Sequence, residues 1–212
     1  MYDAIIFDLD GTLCDTMPDI HASVCMMLDL LGYPGRELSH TVNGINRGSR
    51  HLIEHALPDG VSKADVDAAL DCYMKFYSEH LCDATAPYAG ITDLLPRLRD
   101  RGVKLAVLSN KPDTFVSRLA AALFPDTFTV TVGQGPYPAK PSPTAPLAIA
   151  DMLGAAPDRI LVVGDSDIDV ITAHNAGMHA AGVTWGYRTR DVLVAAGADH
   201  IVNKPIEILG LL

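Results

Sequence analysis

At 212 residues the chain is long enough for one large domain or for a core domain with an insertion, and a hydrophobic share of 49% excludes a disordered polymer. With 16 Lys and Arg against 26 Asp and Glu, the formal charge of −10 argues against non-specific nucleic-acid binding, although a few local cations could still hold an anionic substrate. Cys14, Cys25, Cys72 and Cys82 form no C-x-x-C pair, no basic segment precedes an apolar leader, and no run of about 18 apolar residues occurs, so a reduced cytoplasmic protein without a membrane span is expected.

The chain opens with an apolar strand, Ala4, Ile5, Ile6 and Phe7, that runs into Asp8-Leu9-Asp10-Gly11-Thr12-Leu13. Residues i and i+2 of an extended segment point the same way, so Asp8 and Asp10 converge just beyond the strand, where two like charges need a cation or a proton. Gly11 lets the backbone turn away, and Thr12 offers a hydroxyl and an N–H nearby. Asp15 or Thr16 then caps a helix with Pro18 in its first turn and Ile20, Val24, Met27, Leu28 and Leu31 at helical spacing, which Gly32 ends.

A polar, glycine-punctuated stretch over 41–49 precedes a short helix through Leu52, Ile53 and Leu57. Ser62 with Asp65 resembles a capping box ahead of a long amphipathic helix through Val66, Leu70, Tyr73, Tyr77 and Leu81. No second strand is predicted before about residue 83.

From Tyr88 helix and strand alternate: helix 91–101, strand 104–109, helix 112–123, strand 127–132, a Pro/Gly loop over 133–143, a helix ending before Gly154, strand 159–164, helix 168–176, strand 180–184, helix 190–196 and strand 200–202. This predicts an α/β fold, a Rossmann-like parallel sheet with helices on both faces. The all-helical segment interrupts it after the first strand as an inserted cap, giving a core domain of residues 1–14 and 84–212 and a cap domain of 15–83.

In open parallel sheets ligands bind beyond the carboxyl ends of the strands. Those ends carry Asp8 and Asp10, Ser109 and Asn110, and Asp165, with Lys140 on a loop at the same edge. Carboxylates for a metal, a hydroxyl and an amide for oxygens, and one cation suit phosphoryl transfer, in which positioning and charge neutralisation do most of the catalysis.

In these residues the chain resembles the haloacid dehalogenase (HAD) superfamily. Four motifs stand in order as Asp8-Leu9-Asp10-Gly11-Thr12, Ser109-Asn110, Lys140-Pro141, and Gly164-Asp165-Ser166 with Asp169. Ser109-Asn110-Lys111-Pro112, Gly133-Gln134-Gly135 and Gly182-Val183-Thr184-Trp185-Gly186-Tyr187-Arg188 are similar to the phosphoglycolate phosphatase-like branch. The resemblance implies that Asp8 is a nucleophile forming an aspartyl-phosphate and that Asp10 is the proton shuttle. It implies Mg²⁺ held by Asp8, the Asp10 carbonyl and Asp165 with Asp169 in support, and phosphoryl binding among Asp8, Gly11, Thr12, Ser109, Asn110 and Lys140. Ile168, where many relatives carry a polar residue, is a departure expected to alter contacts around the metal site and not the site itself.

The implied activity is a Mg²⁺-dependent phosphomonoesterase acting on a small anionic phosphorylated metabolite, with 2-phosphoglycolate foremost. Pyrophosphatase, another sugar or nucleotide phosphatase, phosphoglucomutase, or a non-catalytic regulatory module are the alternatives. No nucleic acid or membrane partner is expected, and a homodimer is compatible with the sequence. Gly44 and Arg47, in the stretch Val42-Asn43-Gly44-Ile45-Asn46-Arg47-Gly48, are the candidates for substrate discrimination, since backbone N–H groups and Arg47 could meet a small carboxylate.

Other patterns carry less. His51-x-x-Glu54-His55 has zinc-protease spacing but no third ligand. Asp165-Ser166-Asp167-Ile168-Asp169 begins like a calcium loop, but Val170 and Ala176 stand where that loop needs Gly and Glu. Gly133-Gln134-Gly135 is too short for a dinucleotide fingerprint. Trp185 and Tyr187 could touch substrate or simply pack.

Overall fold

A computed structural model describes residues 2–135 and 137–212, so Pro136 of the 133–143 loop lies outside the described residues. The chain forms two compact units, Met1–Asp15 with Pro87–Leu212, and Thr16–Ala86. In chain order β1 (Ala4–Phe7) and the short β2 (Cys14–Asp15) precede four helices, α1 (Met17–Leu30), α2 (Leu38–Gly44), α3 (Ser49–Ala56) and α4 (Lys63–Glu79). Then follow β3 (Ala86–Pro87), α5 (Ile91–Asp100), β4 (Lys104–Pro112), α6 (Asp113–Leu123), β5 (Val130–Gln134), α7 (Thr144–Leu153), β6 (Ile160–Gly164), α8 (Asp167–Asn175), β7 (His179–Val183), α9 (Arg190–Ala195) and β8 (His200–Val202).

In the helical unit, α1 buries Ile20, Val24, Met27 and Leu28. Gly32, at φ +72°, closes it: its N–H bonds the Asp29 carbonyl while the Tyr33 N–H reaches back to Leu28 at 2.9 Å. Ser62 caps α4 as expected, accepting the Asp65 N–H at 3.2 Å. The stretch expected to be irregular from residue 41 begins instead as the last turn of α2. The inward positions there are Thr41 and Gly44, which bury without giving a hydrophobic signal.

Six strands form the sheet of the other unit, every pair parallel, in the order β5-β4-β1-β6-β7-β8. The chain builds outward from β1 through β4 to β5, then returns to the far side of β1 for β6, β7 and β8. The crevice between β1 and β6 is therefore the switch point at which such sheets bind ligands. Ile6 pairs with Ala106 on one side and Val162 on the other. Ala4 and Ile6 join a buried cluster with Ile149 and Leu153 of α7, Val170 and Ala173 of α8 and Leu193 of α9. Ile5 and Phe7, also fully buried, point to the opposite face.

The strands differ from expectation where local geometry overrides pattern. β4 continues to Pro112, with a register shift after Leu108. β5 starts later than 127, because the Thr127 N–H bonds Phe124 in a turn through Asp126 at φ +53° and the rings of Phe124 and Phe128 pack edge to face at 5.7 Å. β2 and β3, which pair as a two-stranded ribbon, are too short to show any periodicity. No helix among the described residues is long and apolar enough to cross a membrane.

Asp19, 3% exposed near the start of α1, accepts the Ala84 and Thr85 N–H groups at 2.9 and 2.8 Å and the Thr85 hydroxyl at 2.7 Å. One carboxylate thus satisfies three donors at the other end of the helical unit. Asp19→Ala leaves the two Thr85 donors buried and unpaired, and urea denaturation is expected to show a loss of about 2–4 kcal/mol. A variant as stable as the wild type would show that these donors find other partners.

Candidate active site

The ends of β1, β4 and β6 meet where the switch point opens. The Asp8 N–H still bonds the Val163 carbonyl at 2.9 Å, so its side chain leaves the sheet in register with β6. Beyond it the chain turns at Gly11, which has φ +83° and sits so close to the Asp165 carboxylate and the Tyr187 ring that a Cβ would collide with both. The Gly11 N–H bonds Cys14 at 2.9 Å and the Thr12 N–H bonds Leu9 at 3.4 Å. These hydrogen bonds close the turn. The Thr12 hydroxyl is buried and unpartnered.

Lys140 is the hub. Its Nζ lies 2.9 Å from Asp8 Oδ1 and 2.5 Å from Asp169 Oδ1, and it also donates to the Leu108 carbonyl at 3.2 Å. Its backbone is fixed by the Asn110 amide: the Lys140 N–H donates to Asn110 Oδ1 at 2.8 Å, and Asn110 Nδ2 donates to the Lys140 carbonyl at 3.1 Å. The Asn110 side chain therefore places the lysine backbone. Asp169 has both oxygens engaged, one by Lys140 and the other by the N–H and hydroxyl of Ser166 in the capping box of α8.

Asp10 stands apart from these carboxylates. Its Oδ1 pairs with Lys111 Nζ at 2.8 Å, and its Oδ2 lies 3.5 Å from the Ser109 hydroxyl. Lys111 is a site residue that the motif reading passed over. The available signal was its place two residues after Ser109 in a strand, on the same side. Of the discrimination candidates, Gly44 is the buried last residue of α2, its carbonyl accepting from His51 Nδ1 at 3.0 Å, and Arg47 is exposed between α2 and α3. Both belong to the helical unit. Within it, Val42, Asn43 and Gly44 are helical, so their N–H groups are not those of an open loop.

Asp8, Asp165 and Asp169 bring three carboxylate oxygens within 4.8 Å of one another. Asp165 Oδ2 accepts the Tyr187 N–H at 2.7 Å, whereas its Oδ1 is buried with no partner. An orphaned carboxylate oxygen in an all-oxygen donor set fits a hard divalent cation. The electrostatics agree. Burial pushes the Asp8 carboxyl up to about 7 against the pull of Lys140, with Asp169 and Asp10 adding to the rise. Burial, then Asp169 and Asp8, hold the Asp165 carboxyl well above the usual range. Burial alone would lower the Lys140 ammonium, yet Asp169 and Asp8 outweigh it and keep it charged.

The haloacid dehalogenase-like hydrolase family model matches residues 2–177. The chain is similar to a phosphoglycolate phosphatase of Pseudomonas putida, with 38% identity over 190 residues that cover 86% of this chain and 70% of that one. It is also similar to a phosphoglycolate phosphatase of Neisseria meningitidis serogroup A, with 35% identity over 214 residues covering 97% and 91%. A solved structure from Lactobacillus delbrueckii subsp. bulgaricus superposes with a TM-score of 0.92 at 30% identity, covering 98% of this chain and 96% of that one.

The raised Asp8 carboxyl sets a pH dependence. Its folded-state value of about 7 lies above the ordinary 3.8, so the metal-free folded protein binds this proton more tightly than the unfolded chain does. That contribution is complete below pH about 4 and is lost as pH rises through about 7. In chelator, melting is expected at a lower temperature at pH 7.5 than at pH 5.5, and the uncharged Asp8→Asn is expected to narrow the gap. A gap that Asp8→Asn leaves unchanged would remove Asp8 as its source.

Proposed function

This chain belongs to the haloacid dehalogenase-like hydrolases and is a phosphatase, and from that premise we propose that it hydrolyses 2-phosphoglycolate to glycolate and phosphate with Mg²⁺. The observation that carries the chemistry is Lys140 bridging Asp8 and Asp169 beside an unpartnered Asp165 oxygen. The substrate is supported by relatives named phosphoglycolate phosphatase along most of their length. Mg²⁺ is supported by the all-carboxylate donor set, to which the Asp10 carbonyl would add.

In the reading we propose, an Asp8 oxygen attacks phosphorus while the bond from phosphorus to the ester oxygen breaks, leaving an aspartyl-phosphate. Asp10, protonated for this half-reaction, delivers its proton to the departing glycolate oxygen. It then takes a proton from the water that attacks phosphorus, which releases phosphate and restores the Asp8 carboxylate. Lys111, whose Nζ pairs with Asp10 Oδ1, anchors that carboxylate to the end of β4. Lys140 favours the ionised form of Asp8 and, with the Ser109 hydroxyl, binds phosphoryl oxygens as their charge develops. Bound Mg²⁺ supplies the remaining neutralisation of carboxylates and phosphoryl group.

Asp8→Asn tests the central step, since an amide is a poor nucleophile. With Mg²⁺ and 2-phosphoglycolate, turnover is expected to fall by at least about three orders of magnitude with no phosphoenzyme trapped on rapid acid quench. A folded variant that keeps appreciable turnover would overturn the assignment. Across a panel of phosphomonoesters the wild type is expected to prefer 2-phosphoglycolate, and another preferred ester would replace the substrate while keeping the mechanism.

A further inference from the structure

Trp185 and Tyr187 take no part in the reaction above, yet the structure commits both to the loop that follows β1. Trp185 Nε1–H donates to the Thr12 carbonyl at 3.0 Å. Tyr187 is held at two points: its backbone N–H donates to Asp165 Oδ2 at 2.7 Å, and its hydroxyl donates to Asp15 Oδ1 at 2.9 Å. Between the two aromatic residues, Gly186 lies so close that a Cβ would overlap the Asp165 side chain and the Gly11 carbonyl. The turn over residues 185–187 is therefore pressed against the carboxylate whose other oxygen is buried without a partner.

We infer that Tyr187 is a positioning residue for the metal cluster: anchored on Asp15 through its hydroxyl, it holds its own N–H against Asp165 Oδ2 and so aims Oδ1 at the cation. This rests on the metal reading proposed above. A carboxylate pinned through one oxygen loses the freedom to swing its other oxygen away, and the pin is only as firm as the loop that carries the donor. Partners of this kind commonly account for about 10–100-fold in metal affinity. Tyr187→Phe removes the hydroxyl while keeping the ring and the backbone N–H, so its effect reports the anchor and not the pin.

The test is a Mg²⁺ titration of the metal-free protein, read as the rise in melting temperature from each variant's own value in chelator. Tyr187→Phe is expected to need about tenfold more Mg²⁺ than the wild type for the same rise, and Asp15→Ala about the same. The double variant is expected to be no worse than either single one, because both remove one interaction. Asp15→Asn keeps an acceptor oxygen and is expected to titrate like the wild type. A Tyr187→Phe curve that superimposes on the wild type, or losses that multiply in the double variant, would overturn the inference and leave the metal reading standing. A wild type whose melting temperature ignores Mg²⁺ would overturn both.

Discussion

Everything at this site depends on one ammonium placed among carboxylates that cannot share a dry crevice without it. Lys140 Nζ touches Asp8 and Asp169 together, and each of the three is almost fully buried. Removing one partner of such a group leaves an uncompensated charge, so the arrangement is stable only as a set. The surrounding structure reads as what is needed to keep that set together. Asn110 grips the lysine backbone, Ser166 grips Asp169, and the hydrogen bond from Asp8 to Val163 keeps Asp8 aligned with β6. The charge that Lys140 does not cover falls on Asp165, on the side where a cation fits.

The parallel sheet was legible because β1, β4 and β6 are continuous apolar runs separated by segments of helical period, and because residues with chemistry fall at their ends. A strand buried on both faces has little choice of composition. The site was legible as a set of residue types at one edge, and less so as a set of contacts. That Asp10 pairs with Lys111 depends on how the ends of β1 and β4 come together, which the spacing within either strand does not encode. That the Asn110 amide serves a lysine backbone depends on where the loop before Lys140 comes to rest. The late start of β5 has a similar origin, since Phe124 and Phe128 pack across a turn and read as strand only when their apolar character is taken without their geometry.

The helical unit shows the same division between pattern and path. Its amphipathic helices follow from spacing, whereas α2 escapes notice because Thr41 and Gly44 bury as small residues, with Thr41 Oγ1 bonded to His21 Nδ1 at 2.8 Å. Asp19 is a charged residue in a first helical turn, where the helix dipole alone would justify it. Its actual role, gathering three donors from Ala84 and Thr85, is visible only once the chain has returned.

The position of β1 in the sheet has a consequence for how the protein comes into being. Ala4 pairs with Lys104 on one side and with Ile160 on the other, so the strand that leads into Asp8 is synthesised long before either neighbour. Until then Ile5, Ile6 and Phe7 form a short apolar segment with both edges unpaired, a hazard for association with other chains. Asp8 meets Lys140 and Asp169 only after those later segments exist, so a nascent or truncated chain has the Asp8 carboxylate without its counter-charge. Assembly of the sheet and assembly of the buried charges at its edge are one late event, and long-range parallel pairing makes such events slow.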